Sequence, residues 1–317
     1  MFDETRRRQS PDGADLAWHH QEATTQPRGI LLVSHGLAEH SRRYRRFAEY
    51  MADEGYHVYA HDHRGHGETR AADAPLGRFA QRDGTRRVLE DVFTIRDMAA
   101  ECHPGLPVIL FGHSMGGLIA LNAAFEDASR FDALAVWNSN FHPGLAGRAA
   151  QIILFMERWF RGSDVPSELL PRLTFEAWGR SIAGYKSPFD WLSRDEAEVA
   201  HYIEDPLCGF PSSVSLWIDV FSLTFSGPKR ARAASSARDL PIHLVGGGQD
   251  PATMRGRAVL DLANDLKKAG FSNISTRIYE EMRHETLNEI DRTAAMAEFA
   301  AWCGSISGGF AAKTGRL

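Results

Sequence analysis

The sequence predicts an α/β fold: a mostly parallel central sheet with helices on both faces, interrupted by one helical insertion. Three observations carry this. Short apolar runs alternate with helix-length amphipathic stretches over 29–137 and again over 240–303. Several of those runs are apolar at every position, as strands buried on both faces are. Between 139 and 237 the alternation stops, and the chain becomes rich in Trp, Phe, Met and Pro.

Each element has its own signal. Residues 16–20 read as a strand, preceded by the turn Pro11-Asp12-Gly13. Gly29-Ile-Leu-Leu-Val-Ser34 is a buried strand that ends in His35-Gly36-Leu37-Ala38-Glu39-His40-Ser41. A helix is expected over 41–54, with Tyr44, Phe47, Ala48 and Met51 at helical spacing and Gly55 as its stop. The strand 57–60 leads into Asp62-His63-Arg64-Gly65-His66-Gly67, and 83–102 is helical. The strand 108–111 and the helix from Leu118 flank Gly112-His113-Ser114-Met115-Gly116. Residues 133–137 are the next strand. In the insertion, 149–160, 169–178 and 214–225 read as helices. Strands at 240–246 and 275–279 then alternate with helices at 254–269 and 287–303, and the Gly/Ser/Ala-rich 304–317 is expected to be loose. The core domain is thus expected from 1–138 and 238–317, with 139–237 forming a helical cap, since a stretch that long is no ordinary loop.

The composition excludes several function classes. A chain of 317 residues with 43% hydrophobic and 24% charged residues is a soluble globular type. A net charge of −5 supplies no basic field, so no nucleic-acid partner is expected. The charged start Met1-Phe2-Asp3-Glu4 lacks a signal-peptide h-region, and no run reaches the length of a membrane span. Cys102, Cys208 and Cys303 are too few and too scattered for a disulfide framework or a zinc site. Buried thiols and a cytoplasmic location are the simple expectation. No cofactor and no metal are expected.

The chemistry is concentrated at Gly112-His-Ser114-Met-Gly116. This G-x-S-x-G pattern, between a buried strand and a helix, predicts a sharp turn that lifts the Ser114 hydroxyl above the sheet at a helix N-terminus. A serine nucleophile needs a base, and the base needs an orienting acid. Of 14 histidines, His284 lies on the loop between the last strand and the last helix, whereas His243 lies within a strand and is expected to pack. Asp250 follows the strand 240–246 through a glycine-rich turn; the alternative position after 133–137 holds Asn138, Ser139 and Asn140, with no carboxylate. The backbone N–H of Met115 is one expected oxyanion donor. The N–H of Leu37, freed to turn inward by Gly36, is the second. Arg64-Gly65-His66-Gly67 reads as a structural turn, with Arg64 or Asp62 fixing the loop.

Taken together, these stretches resemble the monoacylglycerol lipase and lysophospholipase family of α/β-hydrolases. The likeness rests on His35-Gly-Leu-Ala-Glu-His40, Asp62-x-Arg64-Gly65-His66-Gly67 and Gly112-His-Ser-Met-Gly-Gly117. It also rests on Leu192-Ser-Arg-Asp195 through Asp205-Pro206-Leu207, on Arg283-His284-Glu285, and on the order Ser114…Asp250…His284. The resemblance implies an α/β-hydrolase fold, a cap over the triad, an acyl-binding tunnel and cofactor-free hydrolysis of single-chain lipid esters. It also gives Leu37 the same oxyanion role. The Gly-Gly-Gly-Gln stretch before Asp250 departs from the Ala or Ser more usual there.

The cap supplies the expected substrate contacts. Ile152, Phe155, Met156 and Trp159 lie on an apolar helix, 149–160, that is expected to wall the acyl tunnel and to touch a membrane surface transiently. The expected ligand is a small-molecule acyl ester. Two other readings fit the same residues: a broad carboxylesterase acting on small or aromatic esters, and a non-catalytic protein that holds an acyl ligand. Amide cleavage also stays open.

Overall fold

The computed structural model describes residues 2–314. Its strands are β1 (Arg6–Gln9), β2 (Asp15–Gln21), β3 (Gly29–Ser34), β4 (Tyr56–His61), β5 (Val108–His113), β6 (Ala133–Trp137), β7 (Ile242–Gly247) and β8 (Ile274–Tyr279). Its helices are α1 (Arg45–Asp53), α2 (Gly84–Cys102), α3 (Met115–Glu126), α4 (Gly144–Arg161), α5 (Ala177–Arg180), α6 (Glu196–Glu204), α7 (Val214–Ala233), α8 (Arg257–Lys268) and α9 (Arg292–Thr314).

The strands form one sheet in the order β1-β2-β4-β3-β5-β6-β7-β8. The pairs β1–β2 and β2–β4 are antiparallel and the others are parallel. Every residue of β3 to β7 is buried, which is why these segments are dominated by apolar residues on both faces. One face packs on α2, α3, α8 and part of α7, the other on α1 and α9. The strand order reverses at β3, whose neighbours are β4 and β5. Loops leaving the carboxyl ends of β3 and β5 therefore part to opposite sides and leave a crevice there. Ser34 is paired with Gly112, so the loop after β3 and the turn after β5 start side by side.

Several expectations are corrected. Strand β1 has no apolar pattern and went unread; it is an edge strand whose arginines are mostly exposed. The helix expected over 41–54 opens with a 3-10 turn, Ser41–Tyr44, because Asp62 Oδ1 accepts both the Ser41 N–H (2.9 Å) and its hydroxyl (2.6 Å). The stretch expected as a helix over 169–178 is helical from 170 to 180, but its middle, Arg172–Glu176, is a π-helical turn that runs directly into α5. Helix α6 was not foreseen, and α7 runs past 225 to Ala233 in spite of Pro228, with Ala231 buried in the core. The last helix begins at Arg292, not at 287. Glu289 Oε1 accepts the backbone N–H groups of Arg283 (2.8 Å) and Arg194 (3.1 Å) and so holds the preceding residues as a loop. The helix also continues through most of the stretch expected to be loose. Ser307 is buried there, its hydroxyl 3.0 Å from the Tyr56 hydroxyl. Residues 315–317 of that stretch lie outside the described residues. Cys208 and Cys303 are buried, but Cys102 is exposed at the end of α2.

Candidate active site

The turn after β5 is as tight as the glycine spacing requires. Ser114 has φ +55° and ψ −119°, a backbone state that a non-glycine residue reaches at about 1–3 kcal/mol. A Cβ on Gly112 would lie 2.2 Å from the Gly116 carbonyl oxygen, and one on Gly116 would lie 2.0 Å from that of Ser34. No side chain fits at either position. The strained turn is held from β6: the Ser114 N–H donates to the Trp137 carbonyl (2.9 Å), and the Ser139 hydroxyl donates to the Ser114 carbonyl (2.7 Å).

This geometry brings together three residues that are far apart in sequence. The Ser114 hydroxyl lies 2.9 Å from His284 Nε2, and His284 Nδ1 lies 2.9 Å from Asp250 Oδ2. Nδ1 donates to the carboxylate, which leaves Nε2 to accept from Ser114. Asp250 is fully buried. Its oxygens also accept from the Ala252 N–H (2.9 Å), the Thr253 hydroxyl (2.8 Å) and the Asn138 amide (3.3 Å). Burial works against ionising Asp250. The charge and hydrogen bond of His284, with the bonds from Thr253 and Asn138, outweigh it and hold the carboxyl below its usual value.

The loop that carries His284 is tied to the segment between β6 and β7. The His284 N–H donates to the Trp191 carbonyl (3.3 Å) and the Glu285 N–H to that of Leu192 (2.7 Å). The Trp191 ring lies 4.6 Å from the imidazole, centroid to centroid. Sequence reasoning missed Trp191 and the supporting role of Asn138, which was noted only as lacking a carboxylate. Neither has a local signal, since both act across long sequence separations.

A cavity of about 570 Å³ opens over Ser114. Its floor includes Leu37, Ser114, Met115 and His284, and its walls include Ile153, Phe175, Trp178, Trp191, Trp217 and Phe221. Among the described residues, neither the Leu37 nor the Met115 backbone N–H donates to a protein acceptor, so both are free for a ligand at this floor.

Helix α4 does wall the cavity, but with a different face from the one expected. Ala146, Gly147, Ala149, Ala150 and Ile153 line it. Ile152, Phe155, Met156 and Trp159 do not, and are 63%, 64%, 52% and 77% exposed. The helical period is the reason. Residues 146, 149, 150 and 153 make one stripe and 152, 155, 156 and 159 another. Glu157, one turn beyond Ile153 on the inner stripe, is buried, accepting from the Ser167 hydroxyl (2.6 Å) and the Glu168 N–H (3.0 Å). The small residues give the cavity its room, and the large ones face outward.

Arg64 and His243 are not at the cavity. Arg64 is fully buried in a bidentate pair with Asp91 (2.6 and 2.7 Å) and also meets Asp12 (3.0 Å). His243 accepts from the Trp137 indole N–H at 3.1 Å, within the core. Among the described residues, two groups bring three metal-ligating atoms within 4.8 Å: His20, His57 and His103, and His40, Asp205 and Cys208. In the first, the His57 and His103 rings stack at 3.6 Å with planes 15° apart, so their lone pairs do not converge. In the second, His40 Nε2 is taken by Asp205 Oδ2 at 2.8 Å. Among the described residues, no helix is long and apolar enough to cross a membrane.

Comparison with known proteins shows what the whole chain is similar to. The family model described as "Serine aminopeptidase, S33" matches residues 25–291. A monoacylglycerol lipase of Mycolicibacterium smegmatis is 27% identical over 284 residues, spanning 88% of this chain and 89% of that protein. The monoglyceride lipase of Homo sapiens is 31% identical over 196 residues, 62% of this chain and 57% of that protein. Among solved structures, a thermostable carboxyl esterase of Bacillus coagulans, determined in complex with glycerol, superposes with a TM-score of 0.85. It is 26% identical, with 96% of this chain and 98% of that one covered. The chain belongs to the serine aminopeptidase S33 family of α/β-hydrolases.

Proposed function

We propose that the protein is a serine hydrolase of carboxylic esters, acting on single-chain acyl esters of the monoacylglycerol or lysophospholipid type. The observation that carries this is the Ser114–His284–Asp250 chain, with both bonds at 2.9 Å, on the floor of an apolar cavity of about 570 Å³. In this reading the Ser114 oxygen attacks the ester carbonyl while His284 Nε2 takes its proton. Asp250 stabilises the imidazolium and fixes its orientation. The Leu37 and Met115 N–H groups hold the oxyanion. His284 then gives the proton to the departing alcohol, leaving an acyl-Ser114. Water, deprotonated by His284, attacks that ester, and collapse of the second oxyanion releases the acid and restores the serine.

The segment 139–237 serves as the cap, over a core formed by 1–138 and 238–317. Its outer stripe, with Phe155, Trp159 and Phe160 exposed, is the surface for a transient contact with a lipid surface, where such substrates reside. A cytoplasmic location accords with this reading. Recognition of a free amino terminus, which an aminopeptidase needs, finds little support. The cavity-lining carboxylates beside Ser114, Glu39 and Glu285, are both taken by Arg43, at 2.6 Å each.

The test is a hydrolysis panel of monoacylglycerols, lysophospholipids and p-nitrophenyl esters of graded acyl length, with an aminoacyl amide as contrast. The expected result is kcat/KM rising with chain length toward C10–C16 and no amide turnover. A maximum at acetate or butyrate would replace the lipid reading with a broad carboxylesterase. No turnover of any ester would replace it with an acyl-binding protein.

A further inference from the structure

Leu37 sits between two residues whose backbones are fixed by different parts of the chain. Before it, the Gly36 N–H donates to Glu39 Oε1 at 2.5 Å. After it, Ala38 has φ +54°. An alanine has no side-chain group that favours the left-handed region, so tertiary bonds must hold it there. The Ala38 carbonyl accepts from the Tyr202 hydroxyl (2.8 Å) and the Gly209 N–H (2.9 Å), both from the segment between β6 and β7.

Glu39 is only 3% exposed and belongs to a buried ionic cluster. It accepts from the Tyr44 hydroxyl (2.9 Å) and from Arg43 (2.6 Å), and it lies 3.6 Å from His113 Nδ1. Arg43 also grips Glu285, the residue after His284, with two bonds of 2.6 and 2.7 Å. His113, the residue before Ser114, donates from Nε2 to the His284 carbonyl at 3.0 Å. Burial opposes charge on His113, but Glu39 and then Glu285 outweigh it and raise its pKa. Two carboxylates thus face the Arg43 guanidinium and an imidazole whose protonated form they favour.

Buried ion clusters are weak devices for stability, because desolvation offsets their attraction. This one has another property: its bonds end on the residues flanking Leu37, Ser114 and His284. We infer that Glu39, locked by Arg43, is a positioning residue that aims the Leu37 N–H at the reaction centre and keeps it in register with the His284 loop. The inference rests on the ester-hydrolase reading. The consequence is a rate effect without a binding effect, because an oxyanion donor acts on charge that develops only in the transition state.

Two variants of Glu39 and one of Tyr202 test it. Glu39→Gln keeps an amide oxygen for the Gly36 N–H but loses the charge, and Glu39→Ala loses both. Tyr202→Phe keeps the ring and removes the bond to the Ala38 carbonyl together with the longer one accepted from the Gly209 N–H (3.2 Å), which keeps its own bond to that carbonyl. The expected kcat losses are about 100-fold for Glu39→Ala, about 10-fold for Glu39→Gln and about 3-fold for Tyr202→Phe, with KM within about 3-fold. Affinity for an alkyl trifluoromethyl ketone, whose adduct oxyanion occupies the same place, should fall by the same factor as kcat/KM. Inhibition by a 1-O-alkylglycerol ether, which has no carbonyl, should not change. The inference is overturned if kcat and ketone affinity are retained, or if ether inhibition weakens as much as ketone inhibition does. Should the Glu39 variants not fold, Tyr202→Phe decides alone by the same two criteria. Failure of the underlying reading shows separately, as a wild-type protein that neither hydrolyses an ester nor binds the ketone.

Discussion

The loops at the carboxyl edge of the sheet and the helical segment between β6 and β7 meet over Ser114, and they are built on different principles. At the sheet edge each functional group is aimed by hydrogen bonds. Asp250 alone accepts from His284, Ala252, Thr253 and Asn138. Facing it, α4 offers Ala146, Gly147, Ala149 and Ala150, which make no directional contact and leave only space. Direction serves bond-making and space serves substrate choice. Changes at the edge should therefore alter rate for every ester alike, and changes on α4 should alter the ranking of esters.

The largest effect belongs to the edge. Ser114→Ala should lower kcat/KM by at least about 10⁴-fold for long and short esters equally, with the fold intact by circular dichroism. Retention of a tenth of the activity would remove Ser114 from the reaction.

An intermediate effect belongs to the inner stripe of α4. Ala150→Trp fills cavity space without touching the triad. It should lower kcat/KM for C12–C16 esters by about 10–100-fold and for acetate esters by less than about 3-fold, since each lost CH₂ contact removes ~0.8 kcal/mol. An equal loss across chain lengths would place this stripe outside the acyl path.

A smaller effect concerns stability at the same edge, where four buried histidines, His35, His61, His63 and His66, stand at or just beyond the ends of β3 and β4. Burial and the neighbouring His35 push His61 and His66 down to about 3, and burial with the other rings drives His63 well below its usual value. An unfolded histidine takes a proton near ~6.5. Below that pH the unfolded chain binds more protons than the folded one, so these groups withdraw stability as pH falls from ~6.5 toward about 3 and are neutral in effect above it. Asp219, pushed up to about 7 by burial, acts in the opposite sense, so the comparison must be made by difference. Between pH 7 and 5, the Tm of His66→Gln should fall less steeply than that of the wild-type protein. Parallel slopes would mean that His66 accepts a proton in the folded state.

The smallest effect is expected on the outer stripe. Phe155→Asp should leave kcat/KM for a monomeric, dissolved ester within about 2-fold at every chain length, while lowering turnover of the same ester presented in vesicles. A chain-length-dependent loss in solution would return Phe155 to the tunnel wall.

What was legible in the sequence follows the same division. The buried strands, the glycine spacing around Ser114 and the strand-end positions of Asp250 and His284 are local features, and the structure brings these residues together at 2.9 Å. Features settled by distant partners were not legible. The apolar residues of α4 cover much of its circumference, so the sequence did not say which stripe faces inward. The structure turns the small residues to the cavity and leaves Phe155 and Trp159 outside. Glu39 read as one letter of a motif, because its partners Arg43, Glu285 and His113 gather only in the fold. The start of α9 was misplaced for a similar reason, since Glu289 spends its carboxylate on Arg283 and Arg194.

The proposed role of Ser114 is that of the nucleophile of an ester hydrolase, activated by His284. It is tested most directly by labelling with a long-chain alkyl fluorophosphonate, followed by peptide mass mapping, on the wild-type protein and on His284→Ala. One adduct is expected, on Ser114, formed rapidly in the wild-type protein and at least about 10³-fold more slowly in His284→Ala. An adduct on another residue, no adduct, or equal rates in the two proteins would contradict it.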